Sequence, residues 1–401
     1  MERTRRRAWL VMAGGIAVVL IAVAVVWPVI LAHIRAGVLL DRLSGQRVTR
    51  VQRLLAGPVT SRRVEIPSGT QTIRGHLFSR ARGRGGRGIL IVHGFSPLGD
   101  EYGDLAKAAD DLAAGGFVVL TPTIPPLTHY LVNDEGMRMI GDSASWLARQ
   151  TGGRVSVFAI SFSGGLALVT AVHPEYRAAI RQVVALAPYD DLRRIIAFYL
   201  TGKEARPDGQ VVPGVAPDPF AIDITALQFL DSLVPPEDVT AVRAVLQRSI
   251  MQRQMQRPAD AHLMDELTPR QRQEALDIIA APDALKLRLR DALSVRRVDL
   301  GLLSPHGQLA SLSVPVTVIT GANDPAIPTL ESNWLAQDVP APMLCTLYIS
   351  PIVRHVTLSS ETEEVGIRRL RRWAEKLRLV HALAPAMETA DPHLLFPGCA
   401  G

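Results

Sequence analysis

Apolar positions fall into three regimes along this chain. From Ala8 to Ile34 they run almost unbroken, and only His33 is able to carry charge. The run exceeds the roughly 20 residues that cross a bilayer core. Trp9 and Trp27 fall near its ends, where amphipathic rings favour the interface, and Arg5, Arg6 and Arg7 precede it. No convincing small-x-small cleavage site stands before Arg35, so the pattern predicts an uncleaved anchor rather than a signal peptide. In the second regime, short mainly apolar runs (Gly88–Val92, Phe117–Leu120, Val155–Ala159, Val183–Ala187, Val314–Thr320, Leu344–Ile349) alternate with helical periodicity (Tyr102–Ala114, Asp134–Arg149, Leu330–Gln337). This alternation predicts a mostly parallel sheet with helices on both faces, an α/β fold. A hairpin, Val64–Ile66 with Ile73–Phe78, opens it around Pro67-Ser68-Gly69.

The third regime runs from Tyr189 to Ser313. Strand signals disappear there and helical periodicity takes over, as in Val239–Met255. Thr268-Pro269-Arg270-Gln271 carries a capping-box start with proline at the first helical position. Such a stretch is too long for a loop in a compact domain and predicts a helical subdomain. Its apolar positions Val242, Val245, Leu246 and Ile250 are expected to pack that subdomain and to cover an apolar pocket. The predicted division is a tail and anchor over 1–34, an arginine-rich stalk over 35–63, a core over 64–188 and 314–382, a cap over 189–313, and a tail over 383–401.

Composition narrows the partners. The chain has 401 residues, 48% hydrophobic and 20% charged, which suits a large globular domain with an appendage. Its net charge of +6 owes much to arginines near the N-terminus, without interleaved aromatics. That pattern points to a membrane-proximal role and away from nucleic acid. A short tail carrying Arg5–Arg7 favours a cytoplasmic N-terminus and an extracytoplasmic domain, whereas Arg35, Arg42, Arg47, Arg50 and Arg53 weigh the other way. Cys345 and Cys399 lack metal-type spacing, and pairing between them would need an oxidising compartment. The Gly/Arg loop of residues 81–88 lacks the lysine of a phosphate-binding P-loop.

The candidate chemistry sits where strands end. Arg154 to Leu168 passes from strand through Ser161-Phe162-Ser163-Gly164-Gly165 into a helix. This is the pattern of a nucleophile elbow, with Ala159 and Ser163 at the two small positions. Ser161 fits as nucleophile because Val155–Ala159 supplies a strand of ordinary length before it. Ser163 is the alternative in a second register. Gly321-Ala322-Asn323-Asp324 follows a later strand and Arg354-His355-Val356 follows the last. Together with His93-Gly94-Phe95 these motifs, in the order Ser…Asp…His, resemble the α/β-hydrolase family over residues 64–382. The resemblance implies a triad of Ser161, Asp324 and His355, with oxyanion N–H groups from Phe95 and Phe162. It implies acyl transfer to water without metal or organic cofactor, on a small acyl substrate, most simply a carboxylic ester. Thioesterase, peptidase or acyltransferase chemistry on the same triad is open, as is a catalytically silent binding protein, because one fold hosts many functions.

Overall fold

The computed structural model describes residues 23, 26–41, 57–81, 85–258, 260, 262–280, 282–295, 297–355, 357–358 and 367–387. Most of the predicted anchor and stalk, the end of the tail and Cys399 lie outside them. Among the described residues, no helix is long and apolar enough to cross a membrane.

An eight-stranded sheet forms the centre. Its strands are β1 (Val59–Ser68), β2 (Gln71–Arg80), β3 (Gly88–Val92), β4 (Val118–Pro122), β5 (Val155–Ile160), β6 (Ile180–Leu186), β9 (Val316–Gly321) and β10 (Leu344–Ser350). Their spatial order is β1-β2-β4-β3-β5-β6-β9-β10. The first pairs, β1–β2 and β2–β4, are antiparallel, and the rest are parallel. Buried parallel strands read as continuous apolar runs because both faces are covered. Their period-2 alternation still sorts the side chains. Leu90, Val92, Val157, Ala159, Val183 and Ala185 join one core, whereas Ile89, Ile91, Phe158, Val184 and Leu186 join the other. The first core also holds α3 (Asp134–Thr151), α4 (Phe162–Val172) and the cap. The second holds α2 (Gly103–Ala114) and α12 (Ile367–Leu383). This is the α/β-hydrolase arrangement, with the strand before Ser161 central.

Two expectations need correction. The predicted stalk begins as a helix that packs on the domain: α1 spans residues 26–41, and Ala32, Ala36, Leu39 and Leu40 are buried in the second core. Arg35 donates to the carbonyls of Gly115 and Met387 and lies over the Phe117 ring. For residues 35–63 the sequence leaves a helix near lipid headgroups and a solvated linker both open; the small and apolar residues between the arginines instead make a packing face. Likewise, β1 begins at Val59, inside the predicted stalk.

The insertion comprises α5 (Leu192–Thr201), α6 (Ala221–Gln228), α7 (Val239–Gln254), α8 (Pro269–Ala280), α9 (Pro282–Val295) and α10 (Arg297–Leu302). It also contains a small hairpin, β7 (Lys203–Ala205) with β8 (Val211–Pro213), where only helices were expected. Three-residue strands are too short to show a period, and Pro207, Asp208 and Gly209 read as an interruption.

A buried ionic cluster fixes where the insertion leaves the sheet. Glu331, at the start of α11 (Leu330–Asp338), accepts from the N–H groups of Asp190 and Asp191 at 2.9 and 2.8 Å and from Arg194 Nε at 2.8 Å. Arg194 also bonds Asp190 and stacks over Trp334. His306 Nδ1 lies 2.6 Å from Asp338 and 3.4 Å from Asp190. Burial, and then Glu331, push the Asp190 carboxyl from 3.8 up to about 8 against the pull of Arg194. A carboxyl raised on folding contributes stability that is full below its unfolded value and lost as pH rises through about 8. Asp190→Asn removes that titration while keeping an acceptor for Arg194. The melting temperature of the wild type is therefore expected to fall relative to Asp190→Asn between about pH 5 and about pH 9. Thermal melts of both proteins across that range, showing parallel curves, would refute the assignment.

Candidate active site

Ser161 stands at the exit of β5 with φ 62° and ψ −130°. A residue with a Cβ resists this region of backbone space, at a cost of about 1–3 kcal/mol. Surrounding bonds hold it there. Ser161 N–H donates to Leu186 O at 2.7 Å, and Gly164 N–H donates back to Ser161 O at 2.8 Å. A Cβ on Gly94 would lie 3.0 Å from Ser161 Cβ and 3.0 Å from Ile160 O, so only glycine lets that loop approach. The helix α4 starts at Phe162. Its unpaired N–H groups and the positive end of its dipole therefore face the space above Ser161.

Ser163 sits differently. It is fully buried, its Oγ accepts from Ile160 N–H at 2.8 Å, and that oxygen lies 2.9 Å from Ile160 O and 3.1 Å from Val92 O. Its hydroxyl ties the helix start to β5 and β3. Ser161 lines the cavity and Ser163 does not.

Asp324 and His355 are brought together by the ends of β9 and β10. His355 Nδ1 lies 2.8 Å from Asp324 Oδ2 and 3.1 Å from Oδ1. Asp324 is buried, and its Oδ1 also accepts from Ala326 and Ile327 N–H at 2.9 and 3.0 Å, which fixes the carboxylate. His355 has φ 52° in the turn between β11 (Val353–Arg354) and β12 (Thr357–Leu358). That turn crosses β9 closely: a Cβ on Gly321 would lie 2.4 Å from Val353 O. With Nδ1 engaged by Asp324, Nε2 is the free ring nitrogen on a side chain that lines the same cavity as Ser161. Neighbouring Arg354 is exposed.

His93 is a support. Its Nδ1 donates to Gly94 O at 2.7 Å and its Nε2 accepts from Ile124 N–H at 3.0 Å, so both nitrogens are used. Burial lowers its pKa and keeps it neutral, as this bonding requires. Phe95 follows, its ring stacked on Phe162 with centroids 4.3 Å apart.

The cavity has a volume of about 260 Å³. The core gives it Phe95, Phe162, Tyr130 and Leu186, and the insertion gives Phe220, Ile224, Ile250 and Gln254. Of the four apolar cap residues singled out in the sequence, only Ile250 lines it. Val242, Val245 and Leu246 are buried in the cap's own packing. Sequence reasoning missed Tyr199, Tyr130 and Gln254. Tyr199 Oη donates to Ala326 O at 2.6 Å, beside Asp324. Tyr130 Oη donates to Gln254 Oε1 at 2.7 Å, and Gln254 Nε2 donates to Phe95 O at 3.3 Å. Burial raises the pKa of both tyrosines, so each remains a donor. No local motif marks them, because each acts through partners distant in sequence. Among the described residues, Asp190, His306 and Asp338 bring potential metal-ligand atoms within 4.8 Å of one another. Arg194 already occupies that Asp190 carboxylate, and none of the three lines the cavity.

No protein-family model matches this chain, and no curated protein matches it. Solved structures similar to it include a bacterial brefeldin A esterase, a homologue of human hormone-sensitive lipase (15% identity, 91% of this chain and 87% of that one, TM-score 0.45). Others are the 2,6-dihydroxy-pseudo-oxynicotine hydrolase (12%, 83% and 70%, TM-score 0.44) and a dienelactone hydrolase from Anabaena variabilis (14%, 80% and 96%, TM-score 0.39). Similarity at this level carries no argument about chemistry. The fold rests on the strand order and the turn at Ser161.

Gln254 is the cap's one bond to the carbonyl of Phe95 among the described residues. Removing it loosens the Phe95 loop, which lines the same cavity as Ser161. Losing a bond of about 1 kcal/mol corresponds to about a fivefold change in rate. Gln254→Ala is expected to slow labelling of the serine by a fluorophosphonate by about that factor, and to lower the melting temperature because the buried Tyr130 hydroxyl loses its acceptor. An unaltered labelling rate would show that the bond does not position the loop.

Proposed function

We propose that this protein is a serine hydrolase that cleaves carboxylic esters through an acyl-enzyme. The observation that carries the reading is a single cavity. It holds Ser161, in strained backbone at a helix N-terminus, and His355, paired with a buried Asp324. In this reading Ser161 Oγ attacks the acyl carbonyl and His355 Nε2 takes its proton. His355 then returns that proton to the leaving alcohol. Asp324 holds the imidazole with Nδ1 protonated and stabilises the imidazolium. The N–H groups of Phe95 and Phe162 receive the oxyanion. Water, activated by the same histidine, releases the acid. The apolar and aromatic walls suit an acyl or aryl group better than a peptide backbone, whose N–H and C=O groups would need partners there.

We place the domain at a membrane surface and outside the cytoplasm. The apolar run from Ala8 to Ile34 leads into α1, which is packed onto the domain, so a tether would connect rigidly. Cys345 and Cys399, the two cysteines of the chain, would pair in such an oxidising compartment.

Ser161→Ala is expected to abolish fluorophosphonate labelling and to lower ester turnover by about 10⁴-fold or more, with unchanged melting. Ser163→Ala leaves the buried Ile160 N–H without its acceptor and is expected to cost about 1–3 kcal/mol of stability while the folded protein still labels. An adduct on Ser163, with an active Ser161→Ala protein, would reverse the assignment. A folded wild-type protein that neither labels nor turns over esters would point to a binding role.

A further inference from the structure

Helix α12 presents an apolar stripe to solvent. Leu370, Trp373 and Leu377, at i, i+3 and i+7, are 68%, 61% and 46% exposed. Residues at this spacing share one face. The opposite face, with Leu379 and Leu383, is buried in the second core, so the helix is apolar on two sides. Exposed Arg371 and Arg378, themselves seven residues apart, line one edge of the outward stripe. The helix carries five arginines and one lysine against one acid, Glu375. Glu375 is engaged with Arg378 and Tyr348. An outward stripe of leucine and tryptophan with a basic border is the signature of a helix lying in the headgroup–acyl boundary.

The neighbour of α12 carries the argument further. Lys376 Nζ lies 2.6 Å from Asp41, and His381 Nδ1 lies 3.1 Å from His33 Nε2 with the two rings stacked. These contacts run the two helices antiparallel, side by side. One turn before His33, α1 exposes Val26, Trp27 and Ile30. These residues are the end of the long apolar run, so the outward apolar surface of α12 adjoins the place where that run meets the domain. Pro28 lacks an N–H, and proline is where helices bend sharply. A bend there allows the preceding run to enter the bilayer while residues 29–41 and α12 lie along its surface.

We propose that the outward face of α12, with Leu370, Trp373 and Leu377 as its inserting residues and Arg371 and Arg378 as its lipid-phosphate contacts, rests on an anionic bilayer beside α1. Arginine stems cover apolar surface while their heads reach phosphate oxygens, so the border reinforces the stripe. The inference rests on the reading of the chain as membrane-tethered, and its test separates the two.

The full chain is reconstituted into vesicles of phosphatidylcholine alone or mixed with phosphatidylglycerol, each with a brominated phosphatidylcholine as quencher. Co-flotation with vesicles reports the tether. Trp373 is read as the quenched emission that disappears in Trp373→Phe, which subtracts the other tryptophans. The expected result is co-flotation of both proteins, a Trp373 component quenched in the mixed vesicles, and at least a twofold loss of that quenching in Arg371→Glu/Arg378→Glu. Co-flotation with equal quenching of the wild type and Trp373→Phe overturns the α12 surface and leaves the tether standing. A Trp373 shielded from lipid in a protein that cross-links as a dimer assigns the face to a second copy and also overturns it. Failure to co-float overturns the tether and this surface together.

Discussion

Everything in the site depends on holding a serine where a side chain resists the backbone. Ser161 stays at positive φ because the elements around it leave no relaxed alternative. Its N–H is bonded to β6 and its carbonyl to the first turn of α4. Ser163 ties that turn to β5 and lies against the carbonyl of Val92 in β3. Gly94 brings the next loop to within contact of its Cβ. The strain is distributed over β3, β5 and β6, in the middle of the sheet, where nearly every residue is buried. A surface loop could not keep a serine in this state, since local opening would release it.

The cap is attached to that platform through polar groups, although its interior is apolar. Three glutamines make the join on one side. Gln228 bonds both the N–H and the carbonyl of Val132, Gln247 donates to His129 O, and Gln254 links Tyr130 to Phe95. All reach one core segment, residues 124–133, or the adjoining Phe95 loop. At the other side the Asp190–Arg194–Glu331 cluster pins the start of α5. Such joins are directional. A hydrophobic contact tolerates sliding, whereas these bonds fix the cap in one position above Ser161. The buried charges add little net stability once their desolvation is counted, so their contribution is to geometry.

Legibility in the sequence followed the range of the signal. The strand–serine–helix pattern, the aspartate after β9 and the histidine after β10 each occupy a few consecutive residues, whereas the order of the strands joins elements distant in sequence. Gln254, Tyr130 and Tyr199 could not be read this way. Gln254 lies on a helix whose buried residues mark it only as a cap helix, and its partners are 124 and 159 residues away. The packing of α1 was hidden for another reason. Arginines spaced among alanine and leucine look solvated until a partner face exists, and here that face is supplied by α12, at the far end of the chain.

The charge of the cavity bears on what leaves it. Asp104 and Asp218 line it, and none of its described lining residues is lysine or arginine. A neutral ester enters such a space at little cost. In the proposed reaction hydrolysis would turn it into an acid that is ionised at neutral pH, and a carboxylate there would meet apolar walls, Asp104 and Asp218, with no lysine or arginine among the described lining residues. Burying an unpaired charge is strongly unfavourable. In that reaction the same walls that accept the acyl group would expel the product. The oxyanion of the tetrahedral intermediate escapes this penalty because it forms at the helix N-terminus, where backbone N–H groups already point. The pocket thus separates two negative charges by position: one at the elbow, transient and bonded, and one on the released acid, stable only in water.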